Sequence, residues 1–230
     1  MSFTDGELTA ILLSLRVALV SALISLPFAI WVAFLLARRD FWGRAVLNGL
    51  VHLPLVLPPV VTGYLLLITF GRRGPIGSAL ESCCGIVLSF RWTGAVLAAA
   101  IMAFPLIVRA IRLSLEAVDP KTEAAASTLG ASPVMVFLTI TLPLSLPGIL
   151  AGVILGFAKA LGEFGATITF VSNIPGETQT IASAIYGYTQ TPGGESGTWR
   201  LMIVSIIIAM VALLLSELCA RKISRRGLDL

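Results

Sequence analysis

Charge is scarce in this 230-residue chain: 12% of its residues are charged, against about a quarter in an average soluble domain. With 57% hydrophobic residues and a mean hydropathy of +0.97, a soluble fold of this size could not cover its apolar surface. Histidine occurs once, at His52, and no G-x-S-x-G element is present, so a nucleophile–base set for a hydrolase is missing. Three cysteines, Cys83, Cys84 and Cys219, provide neither a disulfide framework nor metal-ligand spacing. No G-x-x-x-x-G-K-S/T phosphate loop occurs; Gly71-Arg-Arg-Gly74-Pro-Ile-Gly77 lacks the lysine and reads as a turn. Low-complexity tracts and internal repeats are absent too, so residues 1–230 read as one transmembrane domain without catalytic, cofactor or metal residues of its own.

What the chain has in quantity is long apolar runs. Several reach the roughly 20 residues that span a hydrocarbon core about 30 Å thick. They are continuous rather than alternating, which predicts helices and not barrel strands. Five spans are expected, at about 9–37, 48–70, 92–113, 146–170 and 199–220. Asp5 and Glu7 precede the first run where a signal peptide carries basic residues, so that run is expected to be retained as a span. Pro27, Pro54, Pro58, Pro59 and Pro105 lie in or beside spans. The run HLPLVLPPVVTGY from His52 predicts a broken or bent helix inside a bundle.

Basic residues orient the spans. With the N-terminus outside, ten fall on the inner side: Arg38, Arg39, Arg44, Arg109, Arg112, Lys121, Arg221, Lys222, Arg225 and Arg226. Four fall outside, Arg72, Arg73, Arg91 and Arg200, which favours N-out and C-in. Trp92 and Trp199 then lie at outer interfaces, where amphipathic rings are comfortable. This orientation puts 114–145 in the cytoplasm and 171–198 on the outer face.

The segment 121–143, KTEAAASTLGASPVMVFLTITLP, is too patterned for an ordinary loop. Thr122 or Asp119 can cap a short helix with Pro120 in its first turn, and Glu123 suits the positive end. Small residues in EAAASTL allow close approach by another surface, and Gly130 is placed for a left-handed C-cap. Ser132-Pro133 starts a second helix, VMVFLTITL, which Pro143 and Pro147 are expected to end before the fourth span. The resulting knob is either an interfacial hairpin joining two spans or a seat for a second protein.

Its spacing resembles the motif of the ABC-importer permeases: Glu-Ala-Ala, three residues, Gly, nine residues, Ile, any residue, Leu-Pro. From Gly130 through Ile140, Leu142 and Pro143 the match is full. Ala125 and Ala126 fall on the motif's alanines, Ala124 occupies the glutamate position, and Glu123 is one residue early. That shift turns a side chain about 100° around a helix. In that family the knob couples to a cytoplasmic ATPase, so the resemblance implies coupling through Glu123, Ala125, Ala126 and Gly130. ATP would then be bound by a partner subunit. The elements 52–67, 71–77, 109–119, LGEFGATITFVSNIPGETQTI (161–181) and QTPGGESG (190–197) extend the likeness to permease subunits of molybdate importers; LGEFGA is shared with sulfate and thiosulfate permeases. The fold implied is that of a type I ABC importer permease, all-α, in the cytoplasmic membrane of a bacterium. The implied partners are a second copy of the chain, an ATPase dimer, a periplasmic or extracellular oxyanion-binding protein and the bilayer. No nucleic acid is expected among them.

A doubly charged oxyanion cannot cross hydrocarbon unaided, so its path needs polar groups without a deep trap. Lys159, Glu163, Thr167 and Thr169 in the fourth span are the candidates. Lys159 and Glu163, spaced i, i+4, either line the path or lock the span to a neighbour. Gly152 and Gly156 offer a close-packing face, within one subunit or at a dimer seam. Arg16 is expected to snorkel or pair locally, His52 to pack, and Glu217 to pair with Arg221. NIPGETQTIASAIYGY predicts either a short helix at the outer mouth or a plain loop. An ion-coupled secondary transporter is the rival class; it would need a coupling-ion site and repeats that are not visible.

Overall fold

The structure, a computed structural model, describes residues 3–227, with side chains over 3–215 and at Leu218. The expected Glu217–Arg221 pair, Cys219 and the basic side chains from Arg221 onward lie outside the described residues. Among the described residues every element is helical.

Helix α1 (Asp5–Arg38) opens on a capping box in which the Glu7 amide donates to Thr4 Oγ1 and the Thr4 amide donates to the Glu7 carboxylate. Its 34 residues span about 51 Å, so it outreaches a hydrocarbon core. Small side chains form its buried face: Ala10, Ser14, Ala18, Ser21, Ala22, Ser25, Ala29 and Ala33. Large ones such as Leu12, Leu23, Phe28 and Trp31 face outward. In lipid, apolar side chains gain nothing by hiding from their surroundings, so close packing of small residues selects the interface. Helix α5 (Trp92–Glu116) answers with Ala95, Ala98, Ala99 and Ala103.

The second span is broken. Helices α2 (Arg44–Val56) and α3 (Pro59–Phe70) meet at a bend of 112°. Pro58 and Pro59 have no N–H to continue the ladder, and Leu57, preceding proline, is held extended at φ −70°, ψ 143°. Among the described residues four helices are long and apolar enough to cross a membrane, or five when this bent pair is one span. Helix α4 (Pro75–Cys84), which the sequence did not announce, follows the Gly71–Gly74 turn and ends at Gly85 in the left-handed region.

The knob consists of α6 (Pro120–Thr128) and α7 (Pro133–Val136). Asp119 caps α6 by accepting from the Lys121 amide, and Ser132 caps α7 by accepting from the Met135 amide. Gly130 has φ +88°, and the Ala131 amide reaches back to Ala126 O, which closes a Schellman-type end. The expectation that Pro143 and Pro147 end the second helix is corrected here: helix runs without a break from Pro133 to Leu161. A π turn over Phe137–Thr141 makes this possible, with the Leu142 amide bonding back to Phe137 O. The wider turn gives the Pro143 ring room against the carbonyl it would otherwise strike. Helix α8 (Leu142–Leu161) then carries Pro147 inside it.

The fourth span at 146–170 also needs correction. It breaks at Gly162–Phe164 and resumes as α9 (Gly165–Val171). Gly148, Gly152 and Gly156 of α8 face α5; a Cβ on Gly156 would come within 2.5 Å of the Ile107 side chain. The glycine stripe thus packs within the chain. Helix α10 (Ile181–Thr189), the short helix expected after GETQT, lies against α1 and α11 (Glu195–Gly227) around Ala10, Ile181, Ala184 and Leu201.

Candidate functional site

Two regions hold the candidate residues, and they lie at different levels of the helix bundle. The first is the knob. No side chain of α6 is buried; Ala124, Ala125, Thr128 and Gly130 are exposed and Ala126 is half-buried. Leu129 is 89% exposed, and Val134, Met135 and Leu138 extend the apolar surface beside it. Glu123 points the other way. Its Oε1 accepts from Arg38 Nη2 at 2.9 Å and from Thr141 Oγ1 at 2.7 Å, while Arg38 Nη2 also donates to Val118 O at 3.2 Å. Phe34 of α1 meets Phe137 edge to face, with ring centroids 5.0 Å apart. Of the four proposed coupling residues, Ala125, Ala126 and Gly130 share an accessible surface; Glu123 is turned into the chain.

The second region is the break between α8 and α9. Lys159 Nζ lies 3.0 Å from Glu163 Oε2, and the other carboxylate oxygen accepts from the Ala166 amide at 3.1 Å. Glu163 therefore caps α9 and holds Lys159 at once. Its side chain is 1% exposed, whereas that of Lys159 is 31% exposed. Thr167 is buried, and Thr169 is half-buried with its hydroxyl on Gly165 O at 2.8 Å. α9 lies so close to α3 that a Cβ on Gly63 would meet Ala166 O at 2.5 Å and Thr169 Cβ at 2.8 Å. Of the four candidate path residues, Lys159 and Thr169 are half-buried and Glu163 and Thr167 are buried.

Several polar contacts escaped the sequence reading. Glu7 and Arg200 form a forked ion pair, with Nη2 to Oε1 at 2.7 Å and Nε to the two oxygens at 3.1 and 3.2 Å. The Thr4-x-x-Glu7 pattern revealed the cap, but nothing local reveals a partner 193 residues away. Ser14 Oγ accepts from the Ile181 amide at 2.7 Å, which joins α10 to α1. Arg16 stacks on Trp92 with its guanidinium carbon 3.8 Å from the ring centroid, the local pairing expected of it. His52 Nδ1 lies 2.8 Å from Asn48 O, and Arg112 joins Asn48 to Glu116.

Residues 25–226 match the family model described as binding-protein-dependent transport system inner membrane component. The chain is 63% identical over 221 residues, 96% of each protein, to the molybdenum transport system permease protein ModB of Escherichia coli (strain K12). It is 60% identical over 220 residues, again 96% of each, to the protein of the same name from Haemophilus influenzae. The sulfate transport system permease protein CysW of Synechococcus elongatus is 35% identical over 219 residues, 93% of this chain and 76% of that protein. Among solved structures, an inward-facing form of the MetNI methionine ABC transporter superposes with a TM-score of 0.70 at 13% identity, over 96% of this chain and 99% of that one.

Proposed function

The chain belongs to the family of binding-protein-dependent transport system inner membrane components, and from that premise we propose that it is the permease subunit of an ATP-driven importer of molybdate. The observation that carries the substrate is the 63% identity along 96% of both chains with a molybdenum permease, against 35% with a sulfate permease. The chain is a multi-pass membrane protein and not itself an enzyme.

A cytoplasmic ATPase is the partner we assign to the knob, which the N-out, C-in orientation puts on the cytoplasmic side. Small and apolar residues at Ala125, Ala126, Leu129 and Gly130 suit a surface that seats in a cleft. Glu123 supports this face from beneath. Two copies enclose the path along their shared axis, since one bundle of this size has too few spans to surround a dianion. A soluble oxyanion-binding protein delivers substrate at the end formed by α10, where the Glu7–Arg200 pair and the Ser14 bond hold the outer elements together.

We place the path beside the break between α8 and α9. A charge at mid-membrane costs about 2.5–3.5 kcal/mol, and Lys159 meets that cost with an internal carboxylate. Glu163, Thr167 and Thr169 shape the break, and Lys159 is the side chain turned towards the anion. Because the pair is net neutral, it attracts an oxyanion only weakly and does not trap it.

The experiment is uptake of radiolabelled molybdate into vesicles containing this chain, its ATPase and its binding protein. Uptake should require ATP, survive an uncoupler and resist a large excess of sulfate. Uptake that persists without ATP and collapses with the uncoupler would identify a secondary transporter instead.

A further inference from the structure

We propose that Arg38, Glu123 and Thr141 form a strut that makes the knob, the end of α1 and the π turn move as one body, so that Arg38 is a positioning residue for ATP-driven transport. The proposal rests on the functional reading above and adds a route for the force within the chain.

Helix α6 buries no side chain, so the grip of Glu123 on Arg38 and Thr141 is its deepest polar anchor. Both ion-pair partners are mostly shielded, at 17% and 21% exposure. Glu123 and Ala125 are two positions apart, about 200° around the helix, so the anchor lies opposite Ala125, while half-buried Ala126, about 60° from Glu123, flanks it. A second contact lies one turn away: Phe34 of α1 meets Phe137 of the π turn, while Arg38 of α1 and Thr141 of the π turn are joined through the Glu123 carboxylate. Any displacement of the knob therefore reaches α1 and the foot of α8 together.

Stability alone accounts poorly for this arrangement. Among the described residues Arg38 Nε is buried with no hydrogen-bond partner, and apolar side chains would fill the same space without desolvating a charge. What the charged strut adds is directional attachment between segments 85 residues apart. From there α1 runs unbroken to its other end, where Glu7 holds Arg200 of α11 and Ser14 holds the start of α10.

The test compares wild type, Arg38→Gln, Glu123→Gln and the exchange Arg38→Glu/Glu123→Arg in the complete transporter, reading molybdate taken up per ATP hydrolysed. Arg38→Gln should assemble with the ATPase and hydrolyse ATP as wild type does, while uptake per ATP falls about tenfold, within the range typical of coupling between sites. The exchange should recover roughly half of the lost coupling, because it restores the pair with its charges reversed. Unchanged uptake per ATP in Arg38→Gln overturns the strut, and so does an exchange no better than the single variants. Should Arg38→Gln fail to assemble, Thr141→Val decides, since it removes one bond and keeps the ion pair. A loss of about twofold to threefold supports the strut, and no loss overturns it. A wild-type transporter that takes up nothing when ATP is supplied would overturn the functional reading rather than the strut.

Discussion

Replacing Gly63 with alanine tests how the two broken spans meet. The added methyl would lie 2.5 Å from Ala166 O, 2.8 Å from Thr169 Cβ and 2.9 Å from Ala166 Cα. These are backbone atoms and a Cβ, which no rotamer change moves. Ordinary contact begins at 3.4 Å, so α3 must retreat from α9 by most of an ångström. Overpacking of this kind costs about 1–3 kcal/mol, and the better helix propensity of alanine returns up to about 1 kcal/mol. A net loss of about 1–2 kcal/mol is expected, or about 2–8 °C in melting temperature at 2–4 °C per kcal/mol. Gly49→Ala is the matched control: it lies inside α2 with nothing within 4 Å of its added Cβ, so it keeps the propensity gain without the clash. Thermal unfolding in nanodiscs should separate the two variants. Molybdate uptake should fall with Gly63→Ala, because α9 carries Thr167 and Thr169. Equal melting temperatures for the two variants would refute the close packing of α3 on α9.

Three further outcomes are expected. Gly130→Asp puts a side chain at φ +88°, where a left-handed backbone costs about 1–2 kcal/mol, and adds charge to the proposed docking face; co-purification with the ATPase and ATP-driven uptake should both fall, and intact assembly with normal uptake would remove the proposed coupling role. Lys159→Met strips the exposed charge from the α8–α9 break; uptake should be lost or its oxyanion preference changed, and normal transport by a stably folded variant would make the pair a purely structural lock. Cys83 and Cys84 are exposed on α4, in the segment between the second and third spans that the N-out orientation would put outside. In a Cys219→Ser background an impermeant maleimide should label them from outside intact cells, and labelling only after permeabilisation would reverse the orientation.

Local chemistry made much of the fold legible. Pro58 and Pro59 announce the break in the second span because a missing N–H and a fixed φ act wherever they occur. Gly130 announces its turn for a similar reason, since a left-handed residue without Cβ costs little. The same reasoning misled at Pro143 and Pro147. A π turn absorbs the first, and packing of α8 on α5 through Gly148, Gly152 and Gly156 holds the helix together past the second. The break at Gly162-Glu163-Phe164 carries no proline to announce it. The break depends on Glu163 folding back to cap α9.

By itself the sequence determined that this chain lives in a membrane as helices, that its second span is broken at Pro58-Pro59, and that a helical segment turns at Gly130. Those outcomes follow from hydropathy, proline and glycine, whose effects are felt within a few residues. Only the tertiary structure decided that Glu123 turns inward to Arg38, that Glu7 meets Arg200, and that the glycine stripe of α8 closes on α5. A charged or small side chain declares a need for a partner or for close approach, but its spacing does not name the partner. Which group answers is set by helices packing together across 85 or 193 residues of chain.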